Sequence, residues 1–219
     1  MIIDLSYPLK PEMLVWPNSD RPVYEWKSRI NSEGWNETYI RMSAHTGTHI
    51  DVPFHLNQDG KPIEEIQLSH FWGNARLFRM NDSPNNQDIT LEMLKNSGFS
   101  LQGTRIFIMQ TGIEHFAETS DYNYKYPIPS IDLLEWLIQN GMNTYMTDAT
   151  SVDRANDKEM RNHKFLFNNG IPIIENLKNL SKLPANTNFT VCAMPLLLFG
   201  REGSPCRAAA IIQERDYVN

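Results

Sequence analysis

The chain has 219 residues and a mass of 25.3 kDa, with 41% apolar and 21% charged residues. This composition is that of a globular protein and argues against a disordered or fibrous chain. Twenty basic and 26 acidic side chains give a formal net charge of −6, so a nucleic-acid partner is not expected. The longest apolar run, AMPLLLF, is far too short to span a bilayer. We therefore expect a single domain over 1–219 that has no membrane partner.

The N-terminal stretch and the cysteines bear on where the protein resides. MIIDLSYPLKPEM has no basic leader followed by an apolar segment. The two cysteines, Cys192 and Cys206, are too few for a disulfide framework and lack the paired spacing of a zinc knuckle. These features predict a cytoplasmic protein with reduced thiols.

The first predicted elements are a strand, IIDLS, and a proline-rich arm at about 7–22. The arm has four prolines in sixteen residues, YPLKPEMLVWPNSDRP, which excludes a helix and predicts an ordered extended segment. Further strand-like runs follow along the chain: VYEWKSRI, ETYIRMS, ARLFRM, TRIFIMQ, NTYMTD, IPII, NFTVCAM and CRAAAIIQ.

Three predicted helices interrupt these strands. TLEMLKNSG begins at Thr90 and ends at Gly98. SIDLLEWLIQNG has Ser130 at the N-cap and Gly141 as its C-terminal stop, and DKEMRNHKFLFNNG ends at Gly170. Because many strands lie side by side, the pattern predicts an α/β protein with a mixed or largely antiparallel β core and a few covering helices.

Residues 45–55, HTGTHIDVPFH, contain three of the six histidines and an aspartate. Glycine and proline within the segment oppose a helix, so we expect an extended conformation with a side-chain period of two. One face would then carry His45, Gly47, His49, Asp51, Pro53 and His55. The other face would be β-branched or apolar and would anchor the segment in the core. This division predicts a metal-binding face.

The spacing limits which of these residues can share an ion. At ~3.3 Å per residue, His49 and Asp51 lie about 6.6 Å apart at Cα, whereas a straight strand separates His45 from Asp51 by roughly 20 Å. His45 can therefore join only if the chain bends, which Gly47 permits. Imidazole and carboxylate without thiolate favour zinc, manganese or iron(II). The remaining isolated histidines, His70 and His115, are interpreted as structural or surface residues.

The pattern H-x-G-T-H-x-D-x-P-x-H resembles that of the metal-dependent cyclase-like hydrolase family, which includes bacterial kynurenine formamidases and isatin hydrolases. Further blocks in the family's order are IIDLSYPL, VWP, TGIEHF, PSIDLLEWL, TDATSVD, HKFLFNNGIPIIENL and MPLLLFGREGSPCRAAAI. The resemblance thus covers almost the whole chain. It implies a swivelling β/β/α domain that assembles as a homodimer or homotetramer. Pro17, Asn18 and Ser19 depart locally from the Pro-Gly-Asp of many members, which affects the substrate-side loop.

The resemblance implies that His45, His49 and Asp51 bind metal. It also implies that two distant residues, His163 and Glu175, complete the site. From the residues alone, His163 is interpreted as a helix-face histidine and Glu175 as an exposed carboxylate at a strand end. Five ligands exceed the need of one tetrahedral ion with an open position, so two ions are expected. Zn²⁺ is preferred, with Mn²⁺ as the alternative, and Asp51 and Glu175 are the expected bridging carboxylates.

The expected reaction is hydrolysis of an amide or lactam carbonyl by metal-bound water. The resemblance assigns His55 as general acid/base, a role that suits a histidine titrating near neutrality. No G-x-S-x-G nucleophile motif occurs. N-formylkynurenine, a substrate from tryptophan catabolism, is preferred because of the family's commonest members, and isatin or another cyclic amide is the alternative. Candidate residues for an aromatic wall are Trp16, Trp35, Phe54 and Trp72.

Two other function classes stay open at this point. A non-heme iron oxygenase would use His49, Asp51 and His163 as a facial triad, but it would leave three candidate residues without a role. A metal-binding protein without turnover is the other alternative. In that case, His55→Ala would change nothing measurable.

Overall fold

The computed structural model describes residues 1–80 and 87–213. The strands in these ranges are β1 (Ile2–Asp4), β2 (Val23–Ser28), β3 (Glu37–Arg41), β4 (His49–Asp51), β5 (Trp72–Arg79), β6 (Ile106–Gln110), β7 (Thr144–Thr147), β8 (Ile173–Glu175), β9 (Asn188–Cys192), β10 (Gly203–Pro205) and β11 (Ala209–Ile211). The α-helices are α1 (Ile30–Glu33), α2 (Leu91–Asn96), α3 (Ile131–Gln139) and α4 (Arg161–Asn168). None of these helices is long and apolar enough to cross a membrane.

Nine strands form one mixed sheet in the order β1-β11-β9-β5-β6-β7-β8-β4-β10. The central strands β5, β6, β7 and β8 are parallel, and the strands on both sides of them pair antiparallel. Strands β2 and β3 form a separate antiparallel hairpin. The prediction of an α/β fold with a mixed β core and few helices is confirmed.

The sheet curls so that its two ends approach each other. Strands β10 and β11 follow closely in the chain, yet they lie near opposite ends of the strand order. Backbone contacts close the gap: Ser6, just after β1, forms an antiparallel bridge with Leu177, just after β8, and the amide of Lys178 donates to the carbonyl of Leu5 at 3.0 Å. The apolar core therefore lies inside a curled sheet.

The two faces of the central strands bury different cores. In β6, Ile106 and Ile108 pack into the core enclosed by the sheet, whereas Phe107 and Met109 pack into a second core. The second core is covered by residues of α2, α3 and α4, among them Leu94, Leu133, Leu134, Leu137, Leu166 and Phe167. Burial on both faces explains why this strand, IFIMQ, is almost continuously apolar.

Several element boundaries differ from those predicted. The short strand β10 and the single turn α1 were not predicted, and β4 is a three-residue strand within the segment 45–55 that was predicted to be extended throughout. Helix α4 begins at Arg161, later than the predicted DKEM start, because Met160 before it has a left-handed backbone with φ of 47°. Thr90 caps α2 as expected, since its hydroxyl accepts from the amide of Met93 at 3.2 Å. Ser130 stands at the N-cap of α3 but makes no side-chain cap hydrogen bond.

The proline-rich arm, 7–22, contains neither helix nor strand, as its composition predicts. It is held against the body by side chains that reach its backbone. Asn123 donates to the carbonyl of Val15 at 2.9 Å, and the hydroxyl of Tyr24 donates to the carbonyl of Leu9 at 2.8 Å. The arm thereby forms one wall of the main cavity.

Candidate metal centre

Strand β4 supplies the centre of the site. Ile50 points into the enclosed core and is fully buried, so His49 and Asp51 on either side of it point the opposite way. Strand β8 pairs antiparallel with β4 and sets Glu175 directly opposite His49. The alternation of side chains along β4 and the register of its pairing with β8 therefore bring three polar side chains to one face.

The expectation that all of 45–55 is one extended face is wrong. Only His49–Asp51 is a strand, because Gly47 turns the chain with φ of 66° and Pro53 starts a short 3₁₀ helix. The bend at Gly47 was foreseen, and it brings Nδ1 of His45 to 2.5 Å from Oδ1 of Asp51. The turn is tight, since a Cβ at Gly47 would lie 2.7 Å from Cδ2 of Leu9.

Five of the expected residues fall into two donor groups that share one carboxylate. His45, His49 and Asp51 make the first donor group, and Asp51, His163 and Glu175 make the second, with the donor atoms of each group within 4.8 Å of one another. Oδ1 of Asp51 lies 3.3 Å from Nε2 of His49, whereas Oδ2 lies 3.7 Å from Nε2 of His163. The two oxygens of Asp51 therefore face different groups.

The residues from the distant segment are deeply buried. His163 lies in the first turn of α4, and its Nε2 is 3.5 Å from Oε1 of Glu175 at the end of β8. Both residues are among the buried polar groups of the fold. The interpretation from the residues alone, a helix-face histidine and an exposed carboxylate, is corrected here, because α4 and β8 both turn these side chains inward.

The contacts of the histidine nitrogens that point away from the carboxylates support the fit of a metal ion. Nδ1 of His49 lies 2.8 Å from the carbonyl oxygen of Gly47, and Nδ1 of His163 lies 2.7 Å from Oδ2 of Asp153. Each outer acceptor keeps a proton on the outward nitrogen and leaves a lone pair on the nitrogen that faces the carboxylates. Nε2 of His45 is buried without a hydrogen bond in the described residues and lies 3.5 Å from Oε1 of Glu202.

The charges of the two groups also fit a cation. Burial would lower the pKa of His49, but the Asp51 and Glu175 carboxylates raise it to about 9. Burial likewise opposes protonation of His163, and its contacts with Asp153 and Asp51 raise the pKa to about 10. Burial together with the charge of Asp51 raises the pKa of Glu175 to about 7. In the absence of a cation the carboxylates favour a second proton on each imidazole, at the inward nitrogen, and a divalent cation would replace that proton.

His55 lies beside both donor groups. Its ring centroid is 4.3 Å from that of His45 and 6.1 Å from that of His163. Burial lowers the pKa of His55 to about 4, below the near-neutral value expected from the sequence. Among the described residues, its ring nitrogens have no hydrogen-bond partner. His55 is therefore a neutral imidazole at pH 7 with a free lone pair.

A cavity of about 740 Å³ opens onto these residues. The arm contributes Met13, Leu14, Val15 and Trp16 to its wall, and Tyr7 and Tyr122 also line it. Of the expected aromatic wall, only Trp16 lies there. Trp35 is 57% exposed on the separate hairpin, Trp72 is 53% exposed, and Phe54 packs against the enclosed core.

The two remaining histidines lie outside the site. Nδ1 of His70 bonds the carbonyl of Asn143 at 2.8 Å, which is a structural contact. His115 is exposed in a 3₁₀ helix. The residues that sequence reasoning missed are Tyr7, Tyr122 and Asp153, and no local pattern distinguishes them from ordinary core or capping residues.

Known proteins match the chain over most of its length. Residues 3–154 match a family model described as putative cyclase. A kynurenine formamidase of Bacillus mycoides (strain KBAB4) is 33% identical over 94% of this chain and 95% of that protein. The structure of isatin hydrolase A from Labrenzia aggregata, bound to benzyl benzoate, matches with a TM-score of 0.85 and 25% identity over 98% of this chain and 94% of that one.

A further solved structure, described as a potential metal-dependent hydrolase with cyclase activity, has a TM-score of 0.79 and 25% identity and covers 96% of both chains. The family-model match spans more than half of the chain, and the formamidase aligns over nearly its full length. The resemblance inferred from the H-x-G-T-H-x-D-x-P-x-H pattern is therefore confirmed. The chain belongs to the putative cyclase family of metal-dependent hydrolases.

Proposed function

We propose that the protein hydrolyses the amide C–N bond of N-formylkynurenine and releases kynurenine and formate. The observation that carries the proposal is the carboxylate of Asp51, shared by two histidine-containing donor groups that line one cavity. The relative named kynurenine formamidase, aligned over 94% of this chain, supports the choice of substrate.

His45, His49, Asp51, His163 and Glu175 would hold two divalent ions, with Zn²⁺ preferred and Mn²⁺ as the alternative. Asp51 would serve both ions, because its two oxygens face different groups. When bound, the ions supply a Lewis acid for the carbonyl and lower the pKa of water to the neutral range.

His55 is the proposed general acid/base. Its ring centroid lies 4.3 Å from that of His45 and 6.1 Å from that of His163, so it can accept the proton of the attacking water and then donate it to the leaving nitrogen. The C–N bond breaks, oxygen from water is added to the formyl carbon, and the second product is an arylamine. The reaction needs no oxidant, and one water molecule is consumed for each C–N bond that is cleaved.

The cavity suits an aromatic substrate. Its volume of about 740 Å³ lies within the usual range for small-molecule sites. Tyr7, Trp16 and Tyr122 can pack against an aryl ring, and Met13 and Leu14 of the arm add apolar surface. The ring would lie against the arm, with the formamide directed to the donor groups at the base of the cavity.

A cyclic amide is the second candidate substrate. Isatin hydrolase A from Labrenzia aggregata has the same fold at a TM-score of 0.85 and 25% identity. Ring opening of isatin uses the same attack on a carbonyl next to nitrogen, so the donor groups and His55 would serve both reactions. The family assignment favours hydrolysis over the oxygenase and the non-catalytic alternatives.

We also propose a homodimer, with a tetramer as the alternative. The hairpin β2–β3 and the turn α1 between its strands expose large apolar side chains, namely Trp26, Ile30, Trp35, Tyr39 and Ile40. A two-stranded hairpin has little stability by itself, and a second copy would cover these residues. Sedimentation at micromolar concentration tests this assembly, and a monomer would contradict it.

A cytoplasmic location completes the proposal. The two free, half-buried thiols, Cys192 and Cys206, are the supporting feature, since unpaired cysteines suit a reducing compartment. Fractionation of cells that express the native gene tests it, and recovery of the protein outside the cytoplasm would contradict it.

Elemental analysis together with an absorbance assay for arylamine release tests the activity. We expect about two ions per chain and rapid turnover of N-formylkynurenine. If the protein binds metal but turns over only isatin, cyclic amides become the proposed substrate class. Absence of bound metal after purification in metal-replete buffer would contradict the proposed hydrolase.

A further inference from the structure

Asp153 is a buried carboxylate whose oxygens are both engaged near His163. Oδ1 accepts from the backbone amide of Asn162 at 2.8 Å. Oδ2 accepts from the backbone amide of His163 at 3.0 Å and lies 2.7 Å from Nδ1 of the His163 ring. The residue is 2% exposed, so these contacts are shielded from solvent.

A structural role explains only part of this arrangement. The N-cap residue of α4, Met160, has a left-handed backbone and provides no side-chain cap. Asp153 replaces that cap from another segment by accepting from the amides of Asn162 and His163. The contact with the imidazole ring is not needed for capping, so it requires a separate explanation.

The ring contact determines which nitrogen of His163 is available. An acceptor at Nδ1 keeps the proton there and leaves the Nε2 lone pair free. That Nε2 lies 3.5 Å from Oε1 of Glu175 and 3.7 Å from Oδ2 of Asp51. The orientation of the second donor group therefore depends on Asp153.

The loop that carries Asp153 also holds the other distant ligand candidate. The amide of Val152 donates to Oε1 of Glu175 at 3.0 Å. Two hydrogen bonds fix the loop in turn: the hydroxyl of Tyr126 donates to the carbonyl of Asp153 at 2.7 Å, and the side-chain amide of Asn162 donates to the carbonyl of Val152 at 2.8 Å. Neighbouring residues of one loop thus hold both His163 and Glu175.

We propose that Asp153 is a positioning residue that fixes the His163 ring for metal binding by the second donor group. The proposal rests on the metal centre proposed above. It adds to that function a residue that makes no contact with substrate and acts through His163.

The test is Zn²⁺ affinity, measured by competition with a chelator at fixed pH. Asp153→Asn keeps the shape and one acceptor oxygen, but its amide group can donate to Nδ1 and favour a proton on Nε2. We expect about 10–100-fold weaker binding of one of two ions, the usual effect of removing an outer partner of a histidine ligand. The other ion should keep its wild-type affinity, and the visible spectrum of the Co²⁺-substituted protein should change.

A second variant removes the ring contact in another way. Asp153→Ala loses the acceptor at Nδ1 of His163 together with both cap hydrogen bonds of α4, so the effect of the lost cap is judged against the control below. It should weaken binding of the same ion to a similar extent, and it replaces Asp153→Asn as the test if that variant does not fold. Thr90→Ala is the matched control, since it removes the cap of α2 at a site outside the cavity. It should lower the melting temperature without changing Zn²⁺ affinity.

Wild-type affinity for both ions in the folded Asp153 variants would overturn the inference while leaving the proposed function intact. The same result follows if Thr90→Ala weakens Zn²⁺ binding by the same factor, because the effect would then reflect stability alone. A wild-type protein that binds no Zn²⁺ would overturn the proposed function together with this inference.

Discussion

The two donor groups share Asp51, but the fold builds them in different ways. The first group comes from one short segment, 45–51, and the side chain of His45 is 22% exposed. The second group recruits His163 and Glu175 from a distant part of the chain, and their side chains are only 3% and 4% exposed. A local turn therefore holds one group, and a strand pair and a helix hold the other.

This difference indicates how firmly each group would bind an ion. The second group lies between β8, α4 and the loop of Asp153, where each donor side chain has a fixed partner. The first group depends on the turn at Gly47, and Nε2 of His45 is without a hydrogen bond in the described residues. We therefore expect the second ion to exchange more slowly than the first.

Loss of the shared carboxylate should have the largest effect. Asp51→Asn removes the charge that both groups use, so we expect loss of both ions and of activity, with metal affinity reduced by more than about 100-fold. Elemental analysis and the arylamine assay measure this. Retention of one ion at wild-type affinity would show that one group binds without Asp51.

Removal of His55 should affect the rate and leave both groups intact. We expect His55→Ala to lower kcat by about 10²–10⁴-fold, the usual contribution of a general acid/base. The number of bound ions should stay at the wild-type value. If the metal content falls as well, His55 is a ligand and its proposed role is wrong.

Removing one donor from the second group tests directly whether the two donor groups bind separate ions. Glu175→Gln keeps the side-chain shape but loses the charge beside His163 and His49. We expect a fall from about two ions to about one per chain, with the first group still occupied. A wild-type stoichiometry of one would instead indicate a mononuclear site and remove the distinction between the groups.

The smallest effect is expected from the turn that forms the first group. Gly47→Ala has a cost of about 1–2 kcal/mol for the left-handed backbone and also forces Leu9 to move. We expect lower stability and weaker binding of the first ion only, measured by thermal unfolding and Zn²⁺ competition. Gly34→Ala is the matched control, because its φ is 86° and its Cβ meets nothing within 4 Å. Equal effects of the two variants on metal binding would contradict the role of the turn.

Much of the secondary structure could be predicted because it depends on local signals. The apolar run of β6 and the cap at Thr90 are properties of a few neighbouring residues. The three-residue strand β10 could not be predicted, since it exists only through pairing with β4. The bounds of β4 within the predicted extended segment 45–55 likewise depend on its pairing with β8 and β10. The late start of α4 depends on Asp153, which replaces the missing cap from another loop.

The sequence by itself determined the family, the class of chemistry and the first donor group, because the motif holds His45, His49 and Asp51 within one short segment. Family resemblance, rather than any local pattern, pointed to His163 and Glu175. The tertiary structure decided that they lie inward beside Asp51, and that Asp153, Tyr7 and Tyr122 line the same cavity. The physical reason is that strand register, sheet curl and helix packing set distances between segments, and local composition carries no information about those distances.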